Sequence, residues 1–242
     1  VNVTSNFGAI ASSRENRMRT LVPQVRLGSL ELDNFKYNSQ GVAQDPRRGN
    51  ASGVFLPLDD ETAEGIREAI WRRYKFAQQQ LEASKTKATV SVEDEDKAPC
   101  FSGVIAEKYY EAPLDGIDKM VDVAAWEKRL NEVSAVFKAC PELQQGMANL
   151  TFQVYRTYLV SSEGAEVVQN RVSARVMLSA SLKAADGMVL PLNMDYFAYN
   201  PDELPGIDRM VADAKEMIRR LLALRDAPVA DPFTGPAILS GS

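Results

Sequence analysis

Val172-Ser173-Ala174-Arg175-Val176-Met177-Leu178-Ser179-Ala180-Ser181-Leu182-Lys183 sets small and aliphatic side chains at every even position, with Ser173, Arg175 and Lys183 opposite. A period of two is the signature of a strand with one face against a core. The even series already begins at Val168. Asp186-Gly187 follows as a strong hairpin turn, and Met188 to Tyr199 returns as the next strand. Upstream, Ala148, Leu150, Phe152 and Val154 alternate with Asn149, Thr151, Gln153 and Tyr155. Tyr158 and Val160 continue beyond an expected kink near Arg156. Ser161-Ser162-Glu163-Gly164 then turns the chain, with Gly164 free to take positive φ. Three strands joined by short turns make an antiparallel sheet.

Helical periodicity flanks this block. Trp126, Leu130, Val133 and Phe137 are spaced four, three and four in a helix beginning near Asp122, and Pro141 stops it. Ile207, Met210, Val211, Ala214, Ile218, Leu221 and Leu222 line one face of a helix from about Pro205 to Arg225. Arg219, Arg220 and Arg225 suit its negative end. An earlier helix opens at Asp59 or Asp60, with Glu61 and Glu64 in its first turn. Its apolar stripe is Ala63, Ile66, Ile70, Tyr74, Ala77 and Leu81.

The N-terminal segment reads as a β-meander. Val1, Val3, Ser5, Phe7 and Ala9 share a face of one extended run. Met18 to Leu27 forms a second, at an edge because of Pro23, and Gly28-Ser29 turns into Leu30 to Asp33. Residues 36–58 read as a long loop carrying Arg47 and Arg48, two candidate contacts for an anion or an acidic peptide. The run Glu93-Asp94-Glu95-Asp96 is a solvated loop, because it lacks the oxygen spacing and turn glycine of a calcium site. A strand is expected through Val104-Ile105-Ala106. The order strands, helix, helix, strands, helix predicts an α+β fold with a largely antiparallel sheet and helices packed on one face.

The 242 residues contain no histidine. That removes Ser-His and Cys-His nucleophile pairs and histidine metal ligands from this chain. There is no GxSxG elbow, no GxGxxG and no P-loop, and Ser84-Lys85 are neighbours that do not face each other. Cys100 and Cys140 read as buried free thiols, with a disulfide as the alternative in an oxidising environment. The net charge of −5 argues against non-specific nucleic-acid binding. No apolar run approaches the ~18–20 residues that cross a bilayer. Tyr109-Tyr110, with Tyr196 and Tyr199, are candidates for a peptide-binding platform, and an open sheet edge offers strand addition. The apolar Ala237-Ile238-Leu239 looks like the start of a further element, and the expectation is a non-catalytic domain cut from a longer protein.

Ala227-Pro228-Val229, with Asp231-Pro232-Phe233-Thr234-Gly235-Pro236-Ala237-Ile238-Leu239-Ser240-Gly241, resembles the inter-domain junction of the TldD/PmbA family (peptidase U62, historically "modulator of DNA gyrase"). Arg26-Leu27-Gly28-Ser29-Leu30-Glu31-Leu32-Asp33-Asn34 looks like that family's R-x-G-x-x-x-L-D-N strand pair, and Ser161-Ser162-Glu163-Gly164 like its N-S-E-G turn. The resemblance implies an N-terminal α+β domain over residues 1–228 and a junction over 229–242. It implies zinc and the H-E-x-x-x-H helix in an absent C-terminal domain, and no cofactor, zinc ligand or catalytic residue in this chain. It also implies homo- or heterodimers that enclose a chamber for unfolded peptides; the acidic balance and the short apolar runs, not the resemblance, predict no nucleic-acid and no membrane partner. The alternative is a self-standing peptide- or protein-binding module that uses a sheet edge; a small independent serine or carboxylate hydrolase is the third.

Overall fold

The computed structural model describes residues 1–36, 53–58, 63–90, 99, 101, 103, 105–228, 232 and 234–238. They fall into two compact units, one of Val1–Glu15 with Glu107–Ser242 and one of Asn16–Ala106.

The first unit is the α+β sheet that the alternation predicts. Its strands are β1 (Asn2–Asn6), β2 (Ala9–Arg14), β5 (Lys108–Tyr110), β6 (Leu143–Val160), β7 (Glu166–Lys183) and β8 (Val189–Ala198). Their order is β2-β1-β6-β7-β5, and β8 also pairs with β7. Every pair is antiparallel except β5 with β7. Leu150 stands opposite Val3 on one side and Val176 on the other, and Val176 stands opposite Tyr196. Helices α2 (Val123–Ala135) and α3 (Ile207–Arg225) pack on this face, α2 over β1 and β6, α3 over β7 and β8.

The core contains Val3, Trp126, Leu130, Val133 and Phe137 from the N-terminal side, with Leu150, Val176, Leu178, Met210 and Leu221. Asp122 caps α2 by accepting from the Ala125 amide at 3.0 Å. The kink expected near Arg156 is absent. β6 pairs with β7 without a break from Gln145 to Val160, because every even side chain of the one strand finds an even partner on the other.

The meander expected at the N-terminus is corrected in two places. Val1 to Ala9 is not one extended run. Phe7 and Gly8, at φ 45° and 74°, fold it into the β1–β2 hairpin. Ser5 lies fully buried there. Its Oγ lies 2.8 Å from that of Ser134 on α2, which also accepts the Gly8 amide at 2.8 Å.

The second correction lies in the other unit. Of Met18 to Leu27 only Arg19–Leu21 is a strand, β3, paired with β4 (Val54–Leu56) inside the region expected to be loop. Leu30 to Asp33 is not a strand; a single bridge joins Gly28 to Asp33 across a closed turn. The remaining element is α1 (Ala63–Val90). Its expected caps, Asp59 and Asp60, and Glu61 lie outside the described residues. Its buried side is Ala69, Ala77 and Ser84, so Ile70, expected inside, is 46% exposed. Of the expected stripe, Ala77 is buried and Ile66, Tyr74 and Leu81 are partly buried, so the stripe is displaced toward Ala69 rather than absent.

The strand expected at Val104-Ile105-Ala106 is not there. Ile105 is 95% exposed, and Val104 lies outside the described residues. The strand that forms is β5, a few residues later. Among the described residues, no helix is long and apolar enough to cross a membrane.

Candidate contact site

The strands β6 and β7 are each 18 residues long, whereas β8 covers β7 only from Ala174 to Lys183. Their far end therefore continues past the last residue that β8 reaches. On that end β5 pairs with Glu166 to Val168. Between β5 and β8, Glu111 and Ala112 finish the edge with single bonds. The Asn170 amide donates to Glu111 Oε2 at 2.5 Å, and Asn170 Nδ2 donates to the Ala112 carbonyl at 2.8 Å.

Arg156 organises this end. Its Nε donates to the Tyr158 hydroxyl at 2.8 Å, one terminal nitrogen to Asn170 Oδ1 at 2.8 Å, and the other to the Glu111 carbonyl at 2.9 Å. The guanidinium carbon stands 5.3 Å from the Tyr158 ring centroid and 5.8 Å from that of Tyr110. Tyr109 donates to Glu111 Oε1 at 2.6 Å. That bond, with the Asn170 amide, holds the Glu111 carboxyl below the usual carboxylate range, and the same bond raises the Tyr109 phenol.

Register divides the aromatics between two faces. Tyr110 and Tyr158 stand level with Val168, and Tyr109 and Leu159 with Val167. Tyr110 is 68% exposed, and Tyr109, Tyr158, Leu159 and Val160 are all exposed. Two of them are fixed by hydrogen bonds, Tyr109 by Glu111 and Tyr158 by Arg156. Ordered tyrosine and arginine are the residue types on which binding energy concentrates. The arrangement contains no nucleophile beside a base, and what it offers is contact.

Of the residues expected at a site, Tyr109 and Tyr110 lie at this end of the sheet, on opposite faces. Arg47 and Arg48 lie outside the described residues, as does Cys100. Tyr196 and Tyr199 are not brought to the same place. Tyr196 pairs with Val176, eight residues along β7 from Val168 and so about 27 Å away. Its hydroxyl donates to Asp213 at 2.7 Å, and burial first, then Asp213, pushes its phenol far up. Tyr199 packs edge-on against Phe197.

Arg156, Glu111, Asn170 and Tyr158 were not anticipated as site residues. A signal for two of them was present. Arg156 and Asn170 occupy the inward parity of their strands, where the neighbours at 154 and 172 are valines. A polar residue in register with core positions marks the place where the core ends.

Other sites carry less chemistry. Cys140 is a buried free thiol; burial raises it, as does its 3.1 Å bond to Glu142, which Arg225 also holds. Ser84 is buried while Lys85 is exposed and bound to Glu82, so the two do not meet. A groove of about 290 Å³ in the second unit is lined by Val54, Leu56, Pro57, Gly65 and Ala69, and its charged lining residues Glu68 and Arg72 pair with each other. No group of three or more potential metal ligands occurs among the described residues.

The first unit thus defines an α+β domain whose helices cover one sheet face and whose longest strands end in an ordered aromatic contact surface. No protein-family profile matches the sequence, and no curated protein matches it. Among solved structures, it is similar to the crystal structure of TldE from Thermococcus kodakarensis, of the TldD/PmbA family, at 13% identity and a TM-score of 0.44. The likeness covers 90% of this chain and 41% of that one, so this chain spans less than half that protein's length. A superposition of that quality assigns no role to any residue.

Proposed function

We propose that this chain is a non-catalytic α+β domain of a TldD/PmbA-like zinc metallopeptidase or of an inactivated homologue, lending shape and contact to chemistry housed elsewhere. In that role it forms part of the wall of a chamber that admits unfolded peptides, and it contributes to assembly. The observation that carries the reading is the ordered series of motifs, whose first member, Arg26 to Asn34, folds as one closed device. Gly28 takes a φ of 118°, Asp33 is buried against Arg26 at 3.4 Å, and Asn34 Oδ1 accepts the Leu27 amide at 2.8 Å. Of the pattern R-x-G-x-x-x-L-D-N, the Arg26, Gly28, Asp33 and Asn34 positions each have a structural task there, which is how a motif supports a fold without touching substrate. Any zinc would be bound by the C-terminal domain of such a peptidase. The test is the reading frame downstream of Ser242. A further domain of roughly 200 residues with H-E-x-x-x-H, or with that motif decayed, is expected. A stop codon directly after Ser242 would count decisively against it.

A second reading has its own observation. The short edge strand β5, with Tyr109 and Tyr110 on opposite faces, suits addition of an extended peptide. Titration of the chain with unstructured peptides tests it, and no binding at millimolar peptide removes it.

A further inference from the structure

Between Arg67 and Lys87, α1 carries six cations and two carboxylates, a net charge of +4. The whole chain carries −5, so everything outside this stretch sums to −9. Of these cations only Arg72 and Lys75 stand at a spacing that brings like charges together on a helix, three residues apart. The charge also has a particular setting. Arg67, Trp71, Tyr74 and Lys75 recur at steps of four, three and one, which places them along one stripe of the helix. Trp71 is 55% exposed and stacks on Tyr74 with centroids 5.4 Å apart, and Lys75 Nζ stands 5.2 Å from the Trp71 ring. Arg72 is occupied by Glu68 and Lys85 by Glu82, whereas neither Arg67 nor Lys75 has an ion pair among the described residues. A large exposed indole, ordered by stacking and flanked by two cations that have no ion pair among the described residues, has the make-up of a binding hot spot.

We propose that this stripe of α1 docks an acidic segment of another polypeptide, with carboxylates at Arg67 and Lys75 and an apolar side chain on Trp71. Charge complementarity selects that occupant. A bilayer surface fits less well, because the helix's small apolar residues Ala69 and Ala77 are buried within its own unit and leave no continuous apolar face to insert. A nucleic acid fits less well, because Glu64, Glu68 and Glu82 interrupt the cations and the remainder of the chain repels phosphate.

The experiment uses the full chain and a fluorescein-labelled 12-residue peptide rich in Glu and Asp with one central Leu, followed by anisotropy. The same sequence with Gln and Asn in place of the acids is the control, and vesicles containing anionic lipid and a single-stranded oligonucleotide are the competitors. Saturable binding of the acidic peptide is expected, weakening as salt rises. The double variant Arg67→Gln, Lys75→Gln should bind about ten-fold less tightly, and Trp71→Ala about thirty-fold less. These side chains are exposed, and matching circular dichroism and thermal midpoints with the parent will show that the variants fold. Equal binding of the uncharged control, no saturation at millimolar peptide, an unchanged affinity in the double variant, or displacement only by vesicles or oligonucleotide would each overturn the proposal.

Discussion

Gly28→Ala isolates the reason for the glycine in the Arg26–Asn34 turn. A Cβ there would stand 2.3 Å from the Leu32 carbonyl oxygen and 2.8 Å from Asp33 Cα, on a backbone at φ 118°. Both neighbours are backbone, so no side chain can swing away. The chain has two responses. It can keep the turn and bear the strain, about 1–3 kcal/mol for the φ alone, with the contact added. It can instead open the turn. That loses the Ser29-to-Leu32 and Asn34-to-Leu27 backbone bonds and the bond from the Leu27 amide to Asn34, together about 1.5–4.5 kcal/mol. The cheaper route sets the cost, and both converge near 3 kcal/mol. Hydrogen exchange read at Leu27, Ser29 and Asn34 measures the turn locally, which a global melt of a two-unit chain does not. Exchange there should accelerate on the order of 100-fold. Gly116→Ala is the control, since Gly116 is also left-handed, at φ 66°, yet nothing lies within 4 Å of an added Cβ. If Gly28→Ala disturbs its own turn no more than Gly116→Ala disturbs its surroundings, the close approach at Leu32 does not govern this motif.

Leu150→Ala empties a fully buried site between Val3 and Val176 and should destabilise the first unit by about 3–5 kcal/mol, read from urea unfolding followed at the buried Trp126. Ser134→Ala leaves the Gly8 amide without its acceptor and should cost about 1–3 kcal/mol in the same assay, with the β1–β2 hairpin amides losing exchange protection first. Glu216 is held by Arg219 and then Arg220, which depress its carboxyl from the ordinary 4.5 to about 2. The charged form is favoured in the folded state, so its contribution is present above about pH 4.5 and fades as pH falls through 2. The thermal midpoint of Glu216→Gln should therefore lie below the parent's at pH 6 and converge on it toward pH 2; a constant gap would refute the assignment.

The legible part of the fold was the part where burial and periodicity coincide. Val172 to Lys183 could be read because helices cover one face of β7 and leave the other polar, so the code has two letters. The meander misled because Phe7, a bulky residue, takes a left-handed conformation and with Gly8 folds the run back on itself. That turn does not follow from residue type. The stripe of α1 is shifted rather than lost. Ala77 is buried and Ile66, Tyr74 and Leu81 are partly buried, as the spacing predicts, but Ala69 goes in while its larger neighbour Ile70 stays 46% exposed. Spacing fixes the period of the inward face more closely than its centre.

Of the candidate contact site only the adjacent tyrosines were legible. Tyr109 and Tyr110 point to opposite faces, and Tyr110 meets Arg156, 46 residues later on β6, because β5 pairs in parallel with β7 beside that strand. A crossover that long cannot be read from local pattern, since the register of a parallel pair is set by everything between. The same fact carries a mechanical consequence. Arg156 spends three donors on Tyr158, Asn170 and Glu111, so its replacement by Leu would strand the Asn170 Oδ1 and the Glu111 carbonyl together. The aromatic surface should then lose its order before the β6–β7 pairing behind it weakens, because that pairing is held by main-chain bonds along the full length of both strands.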